Sequence, residues 1–261
     1  MIAVCPLSSG TDNSTAEMCV TDDGSGRADL QARWEIKYAL QHADIGGLRQ
    51  LLAGNCRRIV YNEPISTVRS IYFDDWRLSA CYENLSGLGH RRKLRLRWYD
   101  QRLPSCTFSF EIKWRKHRLT GKHRLLIRSD VPLAEMSYDR IVSQLAGVLP
   151  ASHCAVLLAR PEPTIVVEYK REHFASRDGS LRVTLDYDLA FYDQMGQRQP
   201  CLAFPVPAPE LVLLEAKMAP GGAPGLKESL HPFLPRVMRF SKYVHGCLRL
   251  GLLVGTVPGT P

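Results

Sequence analysis

Arg95 and Arg97 stand two residues apart in the run His-Arg-Arg-Lys-Leu-Arg-Leu-Arg-Trp-Tyr at 90–99. Side chains two apart on a β-strand share a face. Arg91, Lys93, Arg95 and Arg97 therefore form a row of cations, opposite Leu94, Leu96 and Trp98. The run Thr-Phe-Ser-Phe-Glu-Ile-Lys-Trp at 107–114 alternates in the same way, with Ser109, Glu111 and Lys113 opposite Phe108, Phe110, Ile112 and Trp114. Pro104 and Ser105 supply turn chemistry between the two runs, so an antiparallel hairpin is expected. The carboxylate–ammonium spacing recurs in Glu35-x-Lys37 and Glu215-x-Lys217, and Arg182-x-Thr184-x-Asp186 sets an arginine against a carboxylate.

Arginine forks suit phosphate oxygens because two parallel N–H groups reach one anion. Carboxylates set among them do not fit a plain phosphate trough. They fit one that also holds a hard divalent cation, such as Mg²⁺ or Mn²⁺, which takes one or two carboxylates and completes its shell with phosphate and water. Lys37, Arg95, Arg97, Lys113, Lys122, Arg171, Arg182, Lys217, Arg239 and Lys242 are the cations expected on this face, against Glu35, Glu111, Asp186 and Glu215. Such a surplus of like charge needs an anion to offset it if it is enclosed. Other chemistries find no support. The cysteines are scattered singly, with no Cys-x-x-Cys or zinc spacing. Gly87-Leu-Gly89 precedes a strand rather than a helix, so it reads as a turn.

The elements that must position these groups can be read from periodicity. Strands are expected at 33–38, 68–74, 90–99, 107–114, 118–127, 164–171, 181–188 and 210–218, the fifth kinked or bulged near Gly121. Helices are expected over 48–60, ending at Arg57 and Arg58, over 132–149, and around 239–243. Residues 1–28, rich in Ser, Thr, Asp and Gly, read as a disordered leader, 220–225 as a mobile loop and 251–261 as a flexible tail. The class is α+β. Two dispositions satisfy the alternation: a sandwich with charges outward, or a sheet curled into a barrel with charges inward and helices covering the apolar side.

The 261 residues carry a net charge of +8, which points to nucleic acid, phosphorylated molecules or an acidic membrane surface. Nucleic acid is the weaker choice, because the basic residues alternate with carboxylates rather than forming an outer stripe. No apolar run approaches the roughly 18 residues of a spanning helix. The N-terminus lacks a signal-peptide pattern, so a cytosolic protein with reduced thiols is expected.

Taken in chain order, Arg-Trp-Glu-Ile-Lys-Tyr at 33–38, Ser-Ile-Tyr-Phe-Asp at 70–74, the basic run at 91–99, Phe-Glu-Ile-Lys at 110–113, Glu-Tyr-Lys-Arg at 168–171, Leu-Arg-Val-Thr-Leu-Asp at 181–186, Leu-Glu-Ala-Lys at 214–217 and Arg-Phe-Ser-Lys-Tyr at 239–243 resemble the VTC domain. That domain is the polyphosphate polymerase of the vacuolar transporter chaperone family, within the triphosphate tunnel metalloenzyme (CYTH-like) superfamily. The resemblance implies an eight-stranded antiparallel β-barrel, a triphosphate tunnel with flanking helices, over 29–250. It implies phosphoryl transfer from ATP, or another triphosphate, to inorganic polyphosphate with Mn²⁺ or Mg²⁺. By motif position the catalytic cations are Lys37, Arg95, Arg97, Lys113, Arg171, Arg182 and Lys242. Glu35, Lys122, Tyr169, Lys217, Arg239 and Ser241 contact substrate, and Glu215 and Glu111 face the metal. Triphosphate hydrolysis and non-catalytic polyphosphate binding are the alternatives. No SPX regulatory domain or membrane segment accompanies the motifs, so the free-standing, bacterial, cytoplasmic form is expected, with no inositol-phosphate control or coupled translocation implied.

Overall fold

A computed structural model describes residues 18–21, 34–117, 119–218 and 237–253. Its strands are β1 (Met18–Thr21), β2 (Trp34–Gln41), β3 (Arg57–Ile59), β4 (Ser66–Asp74), β5 (His90–Tyr99), β6 (Thr107–Lys116), β7 (Leu119–Ser129), β8 (Glu162–Ala175), β9 (Leu181–Asp193), β10 (Val206–Ala208) and β11 (Leu211–Met218). Its helices are α1 (Ile45–Asn55), α2 (Ser79–Leu85), α3 (Tyr138–Val148), α4 (Ala151–Leu158) and α5 (Lys242–Arg249). The class is α+β, as the alternation implies.

All ladders are antiparallel and belong to one sheet, ordered β1-β7-β6-β5-β4-β8-β9-β11-β2, with β10 beside β9 and β3 beside β8. The expected closed eight-stranded barrel is not what forms. The sheet has eleven strands, and among the described residues no ladder joins β2 to the other end. The sheet is nevertheless strongly curled, because Lys113 on β6 meets Glu35 on β2 at 3.2 Å.

The apolar sides of the strands lie on the outside of the curl, under helices. Leu94, Leu96, Phe110 and Ile127 pack with Leu133, Ile141, Leu145 and Leu157 of the α3–α4 layer. Val183, Leu185 and Leu214 pack with Leu48 and Leu52 of α1. On the inside, one end is apolar as well: Tyr72, Val167, Leu189 and Phe191 receive Tyr243, Val244 and Cys247 of α5. Gly246 permits that approach, since a Cβ there would stand 2.6 Å from both Ile165 and Phe191. β9 serves both ends by a bulge. Lys170 pairs Tyr187 but Glu168 pairs Ala190, and Asp188 takes a positive φ of 51°. The extra residue turns Asp186 inward to the polar half and Leu189 and Phe191 inward to the apolar half.

Several elements depart from the sequence reading. Met18–Thr21, read as part of the leader, pair with β7. Arg57 and Arg58 do not end α1 but form β3, where Arg58 reaches the buried Glu172 at 2.6 Å. The expected kink at Gly121 is absent: Gly121 keeps regular register opposite Trp114, whose indole lies where a Cβ would be. The span 132–149 divides into a 3₁₀ turn, Leu133–Glu135, and α3, capped by Ser137. Arg239 and Phe240 precede α5 rather than lying in it. The glycine-rich loop at 220–225 lies outside the described residues.

Candidate functional site

Alternation and register bring the charged groups together on the concave face. Glu35 receives Lys37 at 2.7 Å and Lys113 at 3.2 Å. Lys37 lies 3.6 Å from Glu215, and Lys217 meets that carboxylate at 3.1 Å. The β11–β2 ladder explains this square, because Glu215 pairs Lys37 and Lys217 pairs Glu35. Next to it, Arg171 donates to Asp186 at 2.6 and 2.7 Å, and Lys242 donates to the same carboxylate at 2.5 Å.

Tyr169 joins this part to the hairpin. Its ring lies under Lys242 at 4.5 Å and Arg171 at 5.1 Å, and its hydroxyl accepts from Arg97 at 3.2 Å. Arg97 also donates to Ser70 Oγ at 3.0 Å. Arg95 donates to Glu111 at 2.7 and 2.5 Å and to the Tyr72 hydroxyl at 2.9 Å. Lys122 stands 3.6 Å and Arg124 3.9 Å from the second Glu111 oxygen. Ser241 caps α5 and accepts from Lys93 Nζ at 2.6 Å.

The crowding shows in the ionisation of the groups. Burial and the nearby Glu215 push the Glu35 carboxyl up, but Lys113, Lys37 and Lys217 outweigh them and hold it at about 2. Burial opposes ionisation of Glu111 and Glu215 too, yet Arg95 on one and Lys217 on the other keep both well below the usual carboxylate range. Lys113 is lowered to about 8, first by the charge of Lys37 and then by burial, with Glu35 and Glu215 opposing. Lys93 falls well below the usual lysine range through burial and the charges of Lys113, Lys37 and Arg91.

Of the expected site residues, Lys37, Arg95, Arg97, Lys113, Lys122, Arg171, Lys217 and Lys242 line this face with Glu35, Glu111, Glu215, Tyr169 and Ser241. Arg182 and Arg239 stand at its rim: both are exposed, Arg182 on the same face directly across from Lys217 and Arg239 beside Arg91. Sequence reasoning left Lys93 and Arg124 off the list of inward cations. Lys93 was legible, since it falls between Arg91 and Arg95 on one face. Arg124 was hidden by the kink expected at Gly121, which would have broken the alternation of β7.

A divalent metal can be tested against the donors. Glu111, expected as a ligand, is the more enclosed candidate: it is 2% exposed, and both its oxygens, like those of Glu215, are turned to cations. Glu215 and Glu35 are 12% and 20% exposed and both contact Lys37, so they offer hard oxygens on the open part of the face. Among the described residues no three His, Cys, Asp or Glu side chains converge. A metal here would draw on one or two carboxylates, which is the habit of Mg²⁺ and Mn²⁺ beside phosphate.

Fold and site together define an α+β protein whose single curled sheet gathers cations and a few carboxylates on its concave side. The chain belongs to the VTC domain family, whose model matches residues 32–250, and this ties it to polyphosphate-related chemistry. No curated protein matches the sequence. Among the described residues no helix is long and apolar enough to cross a membrane.

Proposed function

We propose that the concave face binds a nucleoside triphosphate and transfers its terminal phosphoryl group to inorganic polyphosphate. The observation that carries this reading is the environment of Arg97 and Lys93. Among the described residues neither is paired with a carboxylate, and their side-chain partners are hydroxyls: Ser70 and Tyr169 for Arg97, Ser241 for Lys93. A buried guanidinium and a crowded lysine amine, both held by neutral groups, favour a polyanion that supplies the missing charge and restores the ammonium form.

In this reading Arg95, Arg97 and Arg171 grip phosphate oxygens, with Glu111 and Asp186 fixing the first and last of these guanidinium groups. Lys37, Lys113 and Lys217 receive the charge that builds up as the terminal phosphoryl moves. Lys93 and Lys242, brought in beside Ser241 and Tyr169, hold the adjoining phosphates. Phosphoryl transfer asks mainly for alignment and charge stabilisation, and these residues provide both. Mn²⁺ or Mg²⁺, held by Glu215 with Glu35, would supply further neutralisation of the phosphate oxygens.

Hydrolysis is the second reading. It is favoured by the apolar packing of α5, which fills one end of the concave face where a lengthening chain would continue. Incubation with ATP and Mn²⁺, followed by sizing of products on a gel, separates the two. Polymer supports transfer, and orthophosphate alone means water is the acceptor. Tight polyphosphate binding with no turnover would overturn both in favour of a binding module.

A further inference from the structure

On the outer side of the same sheet, where β5, β6 and β7 meet α4, there is a cavity of about 450 Å³. Its walls come mainly from the outward alternates of the strands that build the concave face, with Arg91 and Arg115 reaching it at the strand ends. Arg92 pairs Trp114 and Ile112 pairs His123, all facing away from the charged interior. Ile112, Trp114 and Val156 give it an apolar floor. The Trp114 indole is clamped flat over Gly121, where a Cβ would come within 2.2 Å of it. His123 lies 6.3 Å from Trp114, tilted 34° to it, and His153 of α4 stands edge-on to His123 at 82°, 5.3 Å away, closing the side.

The rim is basic. Arg92, Arg115, Lys116 and Arg160 line it with Arg91, while among the described lining residues Glu83 is the sole carboxylate. Glu83 is already held by Arg160 at 2.5 Å. Flat aromatic walls bind planar rings by stacking, and a cluster of guanidinium groups binds phosphate. The volume lies within the range of small-molecule sites. A bare phosphate chain would have no use for the apolar floor, and an apolar ligand none for the rim.

We propose that this cavity is a nucleotide site, distinct from the concave face, with the base on Trp114 and His123, the His153 ring at its edge, and the phosphates on Arg92 and Lys116. The test is equilibrium dialysis of the full chain with labelled ADP, with and without saturating tripolyphosphate to fill the concave face. One ADP per chain is expected to remain bound under tripolyphosphate. Arg92→Glu and Lys116→Glu, both at exposed positions, are each expected to weaken it by about tenfold or more while leaving tripolyphosphate affinity unchanged. Arg97→Ala is expected to weaken tripolyphosphate binding and leave this ADP in place, which separates the two sites. Complete loss of ADP under tripolyphosphate would overturn the proposal. So would pyrophosphate binding as tightly as ADP at the Arg92-dependent site, since the rings would then contribute nothing.

Discussion

Lys113 on β6 and Glu35 on β2 lie 3.2 Å apart although five strands separate them along the hydrogen-bonded path. This contact across the curl converts a sheet face into an enclosed basic surface. The same curl brings Lys113 close to Lys37, whose charge outweighs the opposing effect of Glu35 on its ionisation. Lys113 is lowered to about 8 from its ordinary 10.5, chiefly by Lys37. A bound polyanion favours the ammonium form and raises the value again. Below about pH 8 Lys113 is charged both free and bound, so affinity is insensitive to this group. Above about pH 8 binding must take up a proton, and tripolyphosphate affinity falls as pH rises towards 10.5. Calorimetry at pH 9 in buffers of different ionisation heat is expected to show proton uptake in the native chain and less of it in Lys113→Met, with Lys93 supplying the remainder.

Arg95 and Lys217 should separate stability from binding. Arg95→Ala leaves Glu111, 2% exposed, with only its weaker contacts to Lys122 and Arg124. Breaking such a buried pair is expected to cost about 3 kcal/mol. Lys217 is 38% exposed, so Lys217→Ala is expected to weaken triphosphate binding with little change in unfolding free energy. Urea denaturation beside tripolyphosphate titration checks both, and equal stabilities for the two variants would contradict the assignment.

The sequence already carried the most important geometric feature. Alternation in 90–99 and 107–114 placed cations on one face and Leu94, Leu96, Phe108 and Phe110 on the other, and the structure keeps that division. Period two says which residues share a face but not whether a curled sheet closes. Closure depends on pairing between β2 and the far edge, which leaves no mark in either strand. Arg57 and Arg58 were misread because a helix C-terminus and an edge strand can both end in arginines. The role of Arg58 emerges only with Glu172, more than a hundred residues away. Glu111 and Glu215 share one sequence pattern, Glu-x-Lys, and they diverge through neighbours that local spacing does not contain.

Asp186 gives an acid dependence. Burial pushes its carboxyl up, but Arg171 and Lys242 outweigh burial and hold it at about 2, against an ordinary 3.8. A lowered carboxyl stabilises the fold fully above the unfolded value, so the contribution is present above about pH 4 and is lost as pH falls through about 2. Its size is about 2 kcal/mol. Asp186→Asn is expected to lose that amount at neutral pH and to show a flatter stability curve between pH 5 and about 2. Chemical denaturation across that range reads it directly, and parallel curves would contradict it.

Tyr243 anchors the helix that delivers Lys242 and Ser241. Its hydroxyl donates to the buried Asp74 at 2.6 Å, and its ring stacks on Tyr72 at 4.9 Å. Asp74 also accepts from the backbone of Ala80 and Cys81, so it ties α5 to the start of α2. Tyr243→Phe keeps the stack and removes the hydroxyl. It is expected to cost about 1–2 kcal/mol and to weaken triphosphate binding several-fold by loosening Lys242. Unchanged triphosphate affinity in a measurably destabilised variant would show the contact to be structural alone.

The central claim is that the inward cations are arranged for a phosphate chain, and titration calorimetry with tripolyphosphate measures it most directly. The account predicts saturable binding at one site on the concave face, weakened roughly ten- to a hundredfold by Arg97→Ala and untouched by Arg177→Ala in the exposed β8–β9 turn. Tripolyphosphate binding that is equally sensitive to both substitutions, or to neither, would contradict it.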